Sequence, residues 1–388
     1  MDPRTNPFAP GAGSQPPDLA GRDDILELAS IAVDRTLHQL PANSMILVGL
    51  RGTGKTVLLN RIWQNALHTG IRALLTEAHE EKSIAELLIP PLRQALFSLD
   101  AMADASNKVK RGLRVLRSFM NGVRLKLSEV EFAMDAEPGT ADSGDLETDL
   151  SQLFQVVGEA AADRSTALLL CIDELQYLSE RELSALIMAM HHVNQRNLPV
   201  LLVAAALPHV VALSGKSKSY SERLFLFSEI GPLNPQHATA ALQNPVTPHG
   251  VRFSPAAIEA IFQKTKGYPY FLQQWGQEAW NHAKTAEIDC ETVEIATASA
   301  LAKLDQSFFR VRFERLSPKE KEYMRAVAGL GPGVQRTGEI AAELNARPQN
   351  VAPIRASLIR KGVLYSPAYG DTAFTVPFFG EYLMRVMA

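Results

Sequence analysis

Hydrophobic positions along the chain recur in two rhythms. Short unbroken apolar runs, Met45-Ile46-Leu47-Val48, "IRALLTEA" from Ile71, "TALLLCIDE" from Thr166 and "PVLLVAAA" from Pro199, are bounded by turn residues and read as strands. Between them the apolar positions return every three to four residues. Ile25, Leu28, Ile31, Ala32 and Leu37 do so, as do the stretches Val57–Leu67 (ended by Gly70), "SIAELLIPPLRQALFSL", "LSQLFQVVGEAAADR" and "ERELSALIMAMHHVNQRN". Buried strands alternating with longer helices predict an α/β fold, a parallel sheet sandwiched by helices on both faces. The pair Pro90-Pro91 is expected to break or kink its helix, because proline lacks the N–H and clashes with the preceding turn.

From Pro232 the strand rhythm stops. Asn234-Pro235 and Ser254-Pro255 each offer an N-cap followed by proline at the first helical position, and Gly267 reads as a helix end. Residues 232–316 therefore read as an all-helical domain and residues 20–231 as the α/β core. Residues 100–147 form an insertion in that core. Its basic helix "NKVKRGLRVLRSFMNG" precedes "VRLKLSEVEFAMD", which alternates like strands, and an acidic stretch from Asp135 to Asp149. Ser317-Pro318-Lys319-Glu320 matches a capping box and opens a last domain, 317–388. It holds three short helices and two β-like runs around Gly370-Asp371. Residues 1–19, rich in proline and glycine, read as a disordered or extended arm.

Composition narrows the class. At 388 residues the chain is long enough for two or three domains, and 46% hydrophobic with 21% charged residues is a globular balance. A net charge of −3 gives no whole-chain attraction to nucleic acid or anionic lipid, so either partner requires a local patch. Two dispersed cysteines, Cys171 and Cys290, argue against a disulfide framework and cannot complete a zinc site. No apolar run approaches a membrane span, and no signal-peptide core is present; the expected location is cytoplasmic, without a membrane partner.

The chemistry begins directly after the first strand. Gly49-Leu50-Arg51-Gly52-Thr53-Gly54-Lys55-Thr56 matches G-x-x-x-x-G-K-[ST], with a strand before it and a helix after it. In that setting Gly49, Gly52 and Gly54 let the backbone wrap phosphates, and the amides from Gly52 through Thr53 to Thr56 point inward as an anion nest. Lys55 reaches the β- and γ-phosphates and the Thr56 hydroxyl ligates Mg²⁺, while Val57 opens the helix behind them. Arg51, at a variable position of the loop, is expected to face solvent. The apolar run Leu168–Ile172 ends in Asp173-Glu174, with Asp173 on the magnesium's water shell and Glu174 orienting or deprotonating the attacking water. The expected ligands are thus ATP or ADP with Mg²⁺, and the pairing of Thr56 with Asp173 on one metal points to hydrolysis, not to mere binding.

These motifs resemble those of AAA+ ATPases, in the group that joins origin-recognition-like initiators with STAND-type signalling ATPases. "LAGRDDILEL" is similar to the family's N-terminal box beside the adenine, and "GLRGTGKT" and "LLLCIDELQYL" to its Walker motifs. The resemblance makes "SYSERLFLFSEIGPL" the box with an arginine finger, Arg223, which acts on a neighbouring subunit of a homo-oligomer formed in the ATP state. It makes "KGYPYFLQQWG" the sensor-2 region of a helical lid and the tail a winged helix. Two departures bear on activity. Ala204, Ala205 and Ala206 stand where a polar sensor-1 residue is expected. Tyr268-Pro269-Tyr270 stands where many relatives carry an arginine, so Pro269 is expected to meet the nucleotide by packing. Both departures favour a slow, switch-like ATPase over a fast motor.

The last domain decides the partner. "RTGEIAAELNARPQNVAPIRASLIRKG" reads as helix, turn, helix, and the second helix would enter a DNA major groove through Gln349, Asn350, Arg355, Arg360 and Lys361. The resemblance implies an ATPase assembling on double-stranded DNA, or alternatively a STAND-like signalling or scaffold ATPase whose winged helix packs internally or binds protein. The basic helix of the insertion is a second candidate surface, though its acidic neighbour is placed to neutralise it.

Overall fold

The computed structural model describes residues 1–11, 13–100, 106–123, 135–218 and 221–387. Five strands form one fully parallel sheet: β1 Ser44–Val48, β2 Arg72–Glu77, β3 Leu168–Asp173, β4 Val200–Ala206 and β5 Phe225–Glu229, in the order β2-β3-β4-β1-β5. β4 thus lies between the strand that feeds the glycine loop and the strand that ends in Asp173. Met45 of β1 is in register with Val203, and Glu77 of β2 with Asp173.

The unbroken apolar runs are explained by burial on both faces. Ile46, Leu170, Ile172 and Leu202 point to one side, against helices Ile84–Asp100, Asn107–Gly122, Leu146–Asp163 and Glu180–Gln195. Their neighbours Met45, Leu47, Leu169 and Cys171 point to the other, against Asp23–Leu37 and Lys55–His68. The period of two is present, but in β1, β3 and β4 both phases are apolar because neither face meets water, while edge strand β2 is only partly covered.

Two expectations are narrowed. Ile84–Asp100 is a single helix with Pro90 and Pro91 inside it. Leu87, Leu88, Ile89 and Leu92 around the prolines are all buried, so apolar packing offsets the two backbone bonds that proline forfeits. The N-terminal arm is also not loose. Phe8 is buried against the helical domain, edge-on to Phe253, and Asn6 donates to the Gln277 carbonyl (3.0 Å) and to Asn281 Oδ1 (2.8 Å). Gly276 makes this possible, since a Cβ there would lie 2.6 Å from the Phe8 ring.

The basic helix Asn107–Gly122 belongs to the main core through Val109, Leu113, Leu116 and Phe119. Its charges are taken up at home, with Arg111 and Arg114 on Glu137 (3.0 and 3.6 Å), Arg111 also on Glu159 and Lys108 on Asp163. The strand-like run "VRLKLSEVEFAMD" lies, but for its two end residues, outside the described residues.

Helices Pro235–Val246, Pro255–Thr265, Pro269–His282 and Cys290–Lys303 build the helical domain. Asn234 and Ser254 cap two of them as their sequences predict, accepting from His237 N and Ala257 N. A π-helical stretch, Leu304–Phe309, and a short helix, Arg310–Glu314, lead onward. Beyond the capping box of Ser317 and Glu320 come helices Pro318–Gly329, Thr337–Glu343 and Pro348–Arg360. Strands Gln335–Arg336, Leu364–Tyr365 and Asp371–Phe374 form an antiparallel sheet, and helix Phe379–Val386 closes the fold. The two C-terminal parts share one core. Phe309 stacks on Phe379 and Tyr382, and Phe271 meets Phe378 edge-on at 5.1 Å. Among the described residues no helix is long and apolar enough to cross a membrane.

Candidate functional site

Because the sheet is parallel, the loops after β1, β3 and β4 emerge at one edge, where a cleft of about 590 Å³ opens between the sheet and the helical domain. Its size suits a small-molecule ligand. Gly52 to Val57, Asp173 and Glu174 line it, with Pro269 and Tyr270 opposite and residues of the N-terminal arm at its mouth.

The loop takes its shape from glycine. A Cβ at Gly49 would lie 2.2 Å from the Ile230 carbonyl oxygen, and Gly54 has φ 91°, a left-handed conformation that side chains resist. Helix Lys55–His68 starts there without a side-chain cap, and its first internal bond is Leu58 N–H to Gly54 O. The amides of Lys55, Thr56 and Val57 are therefore left as donors at a helix N-terminus, a ready anion site. Arg22, from the box before the first helix, braces the loop by donating to Thr53 O (3.2 Å) and Gly231 O (2.6 Å).

Lys55 is buried, and its ammonium donates to Leu50 O at 2.9 Å. Burial pushes its pKa down to about 8, against the upward pull of Glu174 and Asp173. Asp173 is buried too. Burial raises its carboxyl pKa, while a hydrogen bond from the Thr56 hydroxyl and the backbone N–H of Glu174 (2.8 Å) pull the other way. A hydroxyl and a carboxylate in contact beside a lysine and a row of free amides fit a divalent cation bound with phosphate.

Glu174 stands next to this pair in a left-handed conformation, φ 52°. Its carboxylate is gripped from two sides, by Arg51 (3.3 Å) and by the amide of Gln176. Gln176 also accepts the Leu207 N–H at 3.0 Å, just past the end of β4. Gln176, from the loop after β3, thus links the Glu174 carboxylate to the backbone at the end of β4. Sequence reading missed Gln176; its place two residues beyond Glu174 was the only signal.

Arg51 does not face solvent as its loop position suggested. Besides the Glu174 ion pair it donates to the Tyr177 hydroxyl (3.0 Å) and, through Nε, to Gly362 O (3.2 Å), and its backbone N–H donates to Thr375 O (3.1 Å). One residue of the loop therefore ties the carboxylate after β3 to two backbone carbonyls of the C-terminal domain. The helical domain touches the loop as well, the Tyr270 N–H donating to Gly52 O at 3.2 Å.

The remaining candidates are dispersed. Arg223 is exposed beside His191, Asn194 and Gln195, outside the cleft. Gln349, Asn350 and Arg360 are exposed on helix Pro348–Arg360. Arg355, expected to reach DNA, is turned inward instead, and Lys361, expected there too, stays exposed but is held in an ion pair. Arg355 donates to Thr372 Oγ1 (2.7 Å), Ser366 Oγ (2.6 Å) and Asp371 O, and Lys361 pairs with Glu320 at 2.7 Å. Arg355 serves part-buried acceptors, whereas Lys361 joins Ser317 N–H and the Ser357 hydroxyl on Glu320.

Residues 18–203 match the model of the AAA ATPase domain, and residues 306–383 that of a domain of unknown function, DUF8462. No curated protein matches the chain in sequence. Among solved structures the chain is similar to the Walker-type ATPase PABY2304 of Pyrococcus abyssi, at 13% identity over 95% of this chain and 97% of that one, with a TM-score of 0.56. It is similar to the ORC2 protein of Aeropyrum pernix, solved as ADPNP–ADP complexes, at 15% identity, 97% and 96% coverage and a TM-score of 0.51. Cdc6p of Pyrobaculum aerophilum matches at 14% identity, 99% and 97% coverage and a TM-score of 0.50. The fold is that of a P-loop NTPase.

Proposed function

We propose that this chain, with an AAA ATPase domain at residues 18–203, is a slow ATPase working as a nucleotide-dependent switch. Nucleotide in the Lys55 cleft governs whether the C-terminal domain, read as a winged helix, stays docked on the ATPase core. The observation that carries this reading is the Arg51 bridge from Glu174 to Gly362 and Thr375.

In this reading Lys55 and the amides of Gly52 to Val57 hold the phosphates of ATP, and Thr56 with Asp173 holds Mg²⁺. When bound, ATP would supply the scissile phosphoanhydride and Mg²⁺ would neutralise charge developing on it. Glu174 orients the attacking water and takes its proton. It can do so only when its carboxylate is free of Arg51, so the docked arrangement holds turnover low. Pro269 and Tyr270 close the lid side by packing. Arg223, outside its own cleft, completes a site only on a neighbouring copy, which makes a homo-oligomer the ATP-state form.

Arg51→Ala tests the switch. Losing the side-chain bond to Gly362 O, while the backbone bond to Thr375 O is kept, should weaken docking by about 1 kcal/mol, a factor of roughly five in the docked population. Limited proteolysis without nucleotide should then cut the C-terminal domain free faster, and ATP turnover per bound nucleotide should rise. An unchanged digestion rate together with unchanged turnover would count against the switch.

A second reading, assembly on double-stranded DNA, draws on the exposure of Gln349, Asn350 and Arg360 on one helix. With Arg355 and Lys361 committed elsewhere, the footprint is small. Binding should have a shallow salt slope, reduced by about one in Arg360→Ala. Fluorescence anisotropy with duplex DNA at several salt concentrations checks this with ADP and with a non-hydrolysable ATP analogue. Absence of salt-dependent binding in both states would remove the DNA reading and leave the STAND-like one.

A further inference from the structure

Arg312 lines the same cleft as Gly52 to Val57, Asp173 and Glu174, yet it belongs to the segment that joins the helical domain to the C-terminal domain. Its guanidinium lies 3.9 Å over the Phe308 ring and donates to the Phe308 carbonyl oxygen at 2.5 Å. Among the described residues it has no carboxylate partner. The acids of its own segment are already engaged: Glu314 with Arg310 (3.8 Å) and Lys321 (4.0 Å), and Asp305 with Arg385 (2.6 Å). A half-buried guanidinium with most of its donors unspent, facing a cleft built for an anion, is costly unless a ligand completes it.

Its position is fixed from both sides. Phe308 stacks on Tyr270 at 4.6 Å, and the Tyr270 N–H is bonded to Gly52 O, so the ring beneath Arg312 is tied to the phosphate loop. On the other side Phe309 and Phe313 pack on Tyr382 of the C-terminal domain. Burial lowers the guanidinium's pKa to about 10; Arg51 repels it and Glu174 attracts it. Tyr270 and Arg315 act on it as well, but Arg51 and Glu174 share its cleft and mark the end where a terminal phosphate must lie if Glu174 is to direct water at it.

We propose that Arg312 contacts the terminal phosphate of a bound nucleoside triphosphate and so makes the cleft distinguish triphosphate from diphosphate. The inference rests on the nucleotide reading of the cleft given above. Arg312 adds a cation from the last helix of the helical domain where Tyr268-Pro269-Tyr270 offers none, and its place next to the C-terminal domain links phosphate contact to the docking of that domain.

The test is equilibrium binding of Mg·ADP and of the non-hydrolysable analogue Mg·AMP-PNP to the full chain, as wild type, Arg312→Ala, Arg312→Gln and Arg312→Lys. Loss of a charge-assisted contact should weaken AMP-PNP about tenfold to a hundredfold in the Ala and Gln variants, leave ADP within roughly threefold, and be partly recovered by lysine. The Gln variant keeps much of the stem over Phe308, which covers the case in which alanine disturbs the fold. Equal weakening of both nucleotides, or no weakening of AMP-PNP, overturns the proposal. A wild-type chain that binds neither nucleotide is a different result and defeats the nucleotide reading itself.

Discussion

Glu174→Gln is expected to leave ATP bound while lowering its turnover by about 10²–10⁴-fold, the usual contribution of a positioned general base. The binding elements are elsewhere: Lys55, the amides at the start of helix Lys55–His68, and the Thr56–Asp173 pair are untouched by the change. Glutamine keeps the shape of the side chain and still accepts a hydrogen bond, so Arg51 and Gln176 retain a partner, although a weaker one. Retained nucleotide after gel filtration, together with a single-turnover hydrolysis rate, separates the two effects. The variant should elute with ATP where the wild type elutes with ADP. Normal turnover would overturn the base role assigned to Glu174. A second consequence follows from the bridge: with one charge of the Arg51 pair gone, the C-terminal domain of this variant should be cut by protease faster than in the wild type.

What the sequence made legible was local. The strand before Gly49, the glycines, Lys55-Thr56 and the run ending in Asp173-Glu174 all act within a few residues of themselves, and the parallel sheet brings the two motifs to one edge because both follow strand ends. The caps at Asn234, Ser254 and Ser317 were readable for the same reason. The rest depends on partners that no window contains. Arg51 meets Gly362 and Thr375, more than three hundred residues away, and nothing in the loop specifies them. The break expected at Pro90-Pro91 does not occur in Ile84–Asp100 because propensity counts two lost hydrogen bonds and cannot count the buried leucines around them. Arg355 looked like a groove reader as a polar residue of the second helix, but part-buried acceptors nearby claimed it first. Gln176 shows the converse. A polar contact to the end of β4 comes from a neighbouring loop, which a motif tied to one strand does not detect.

Lys55→Ala is expected to weaken nucleotide binding by about a hundredfold or more, since it removes the one ammonium placed in the amide-lined loop. The pH dependence distinguishes this from a loss of fold. The lysine's pKa in the folded chain is about 8, below its value of 10.5 for an exposed side chain. The folded state therefore binds the proton less tightly than the unfolded chain, and below pH 8 it carries the full cost of a buried ammonium, roughly 3 kcal/mol by the size of the shift. That cost is relieved as pH rises from about 8 to 10.5, so the nucleotide-free wild type should gain stability over that window relative to Lys55→Ala. Thermal unfolding of both proteins at pH 7, 8, 9 and 10 measures the difference. Nucleotide affinity runs the other way. Phosphate needs the ammonium, so wild-type binding should be flat below pH 8 and fall by up to about tenfold per unit above it. Lys55→Ala should lack both trends. A variant that unfolds at every pH would show neither, yet it would also lose its melting transition, whereas the intact variant keeps that transition and loses only the two slopes.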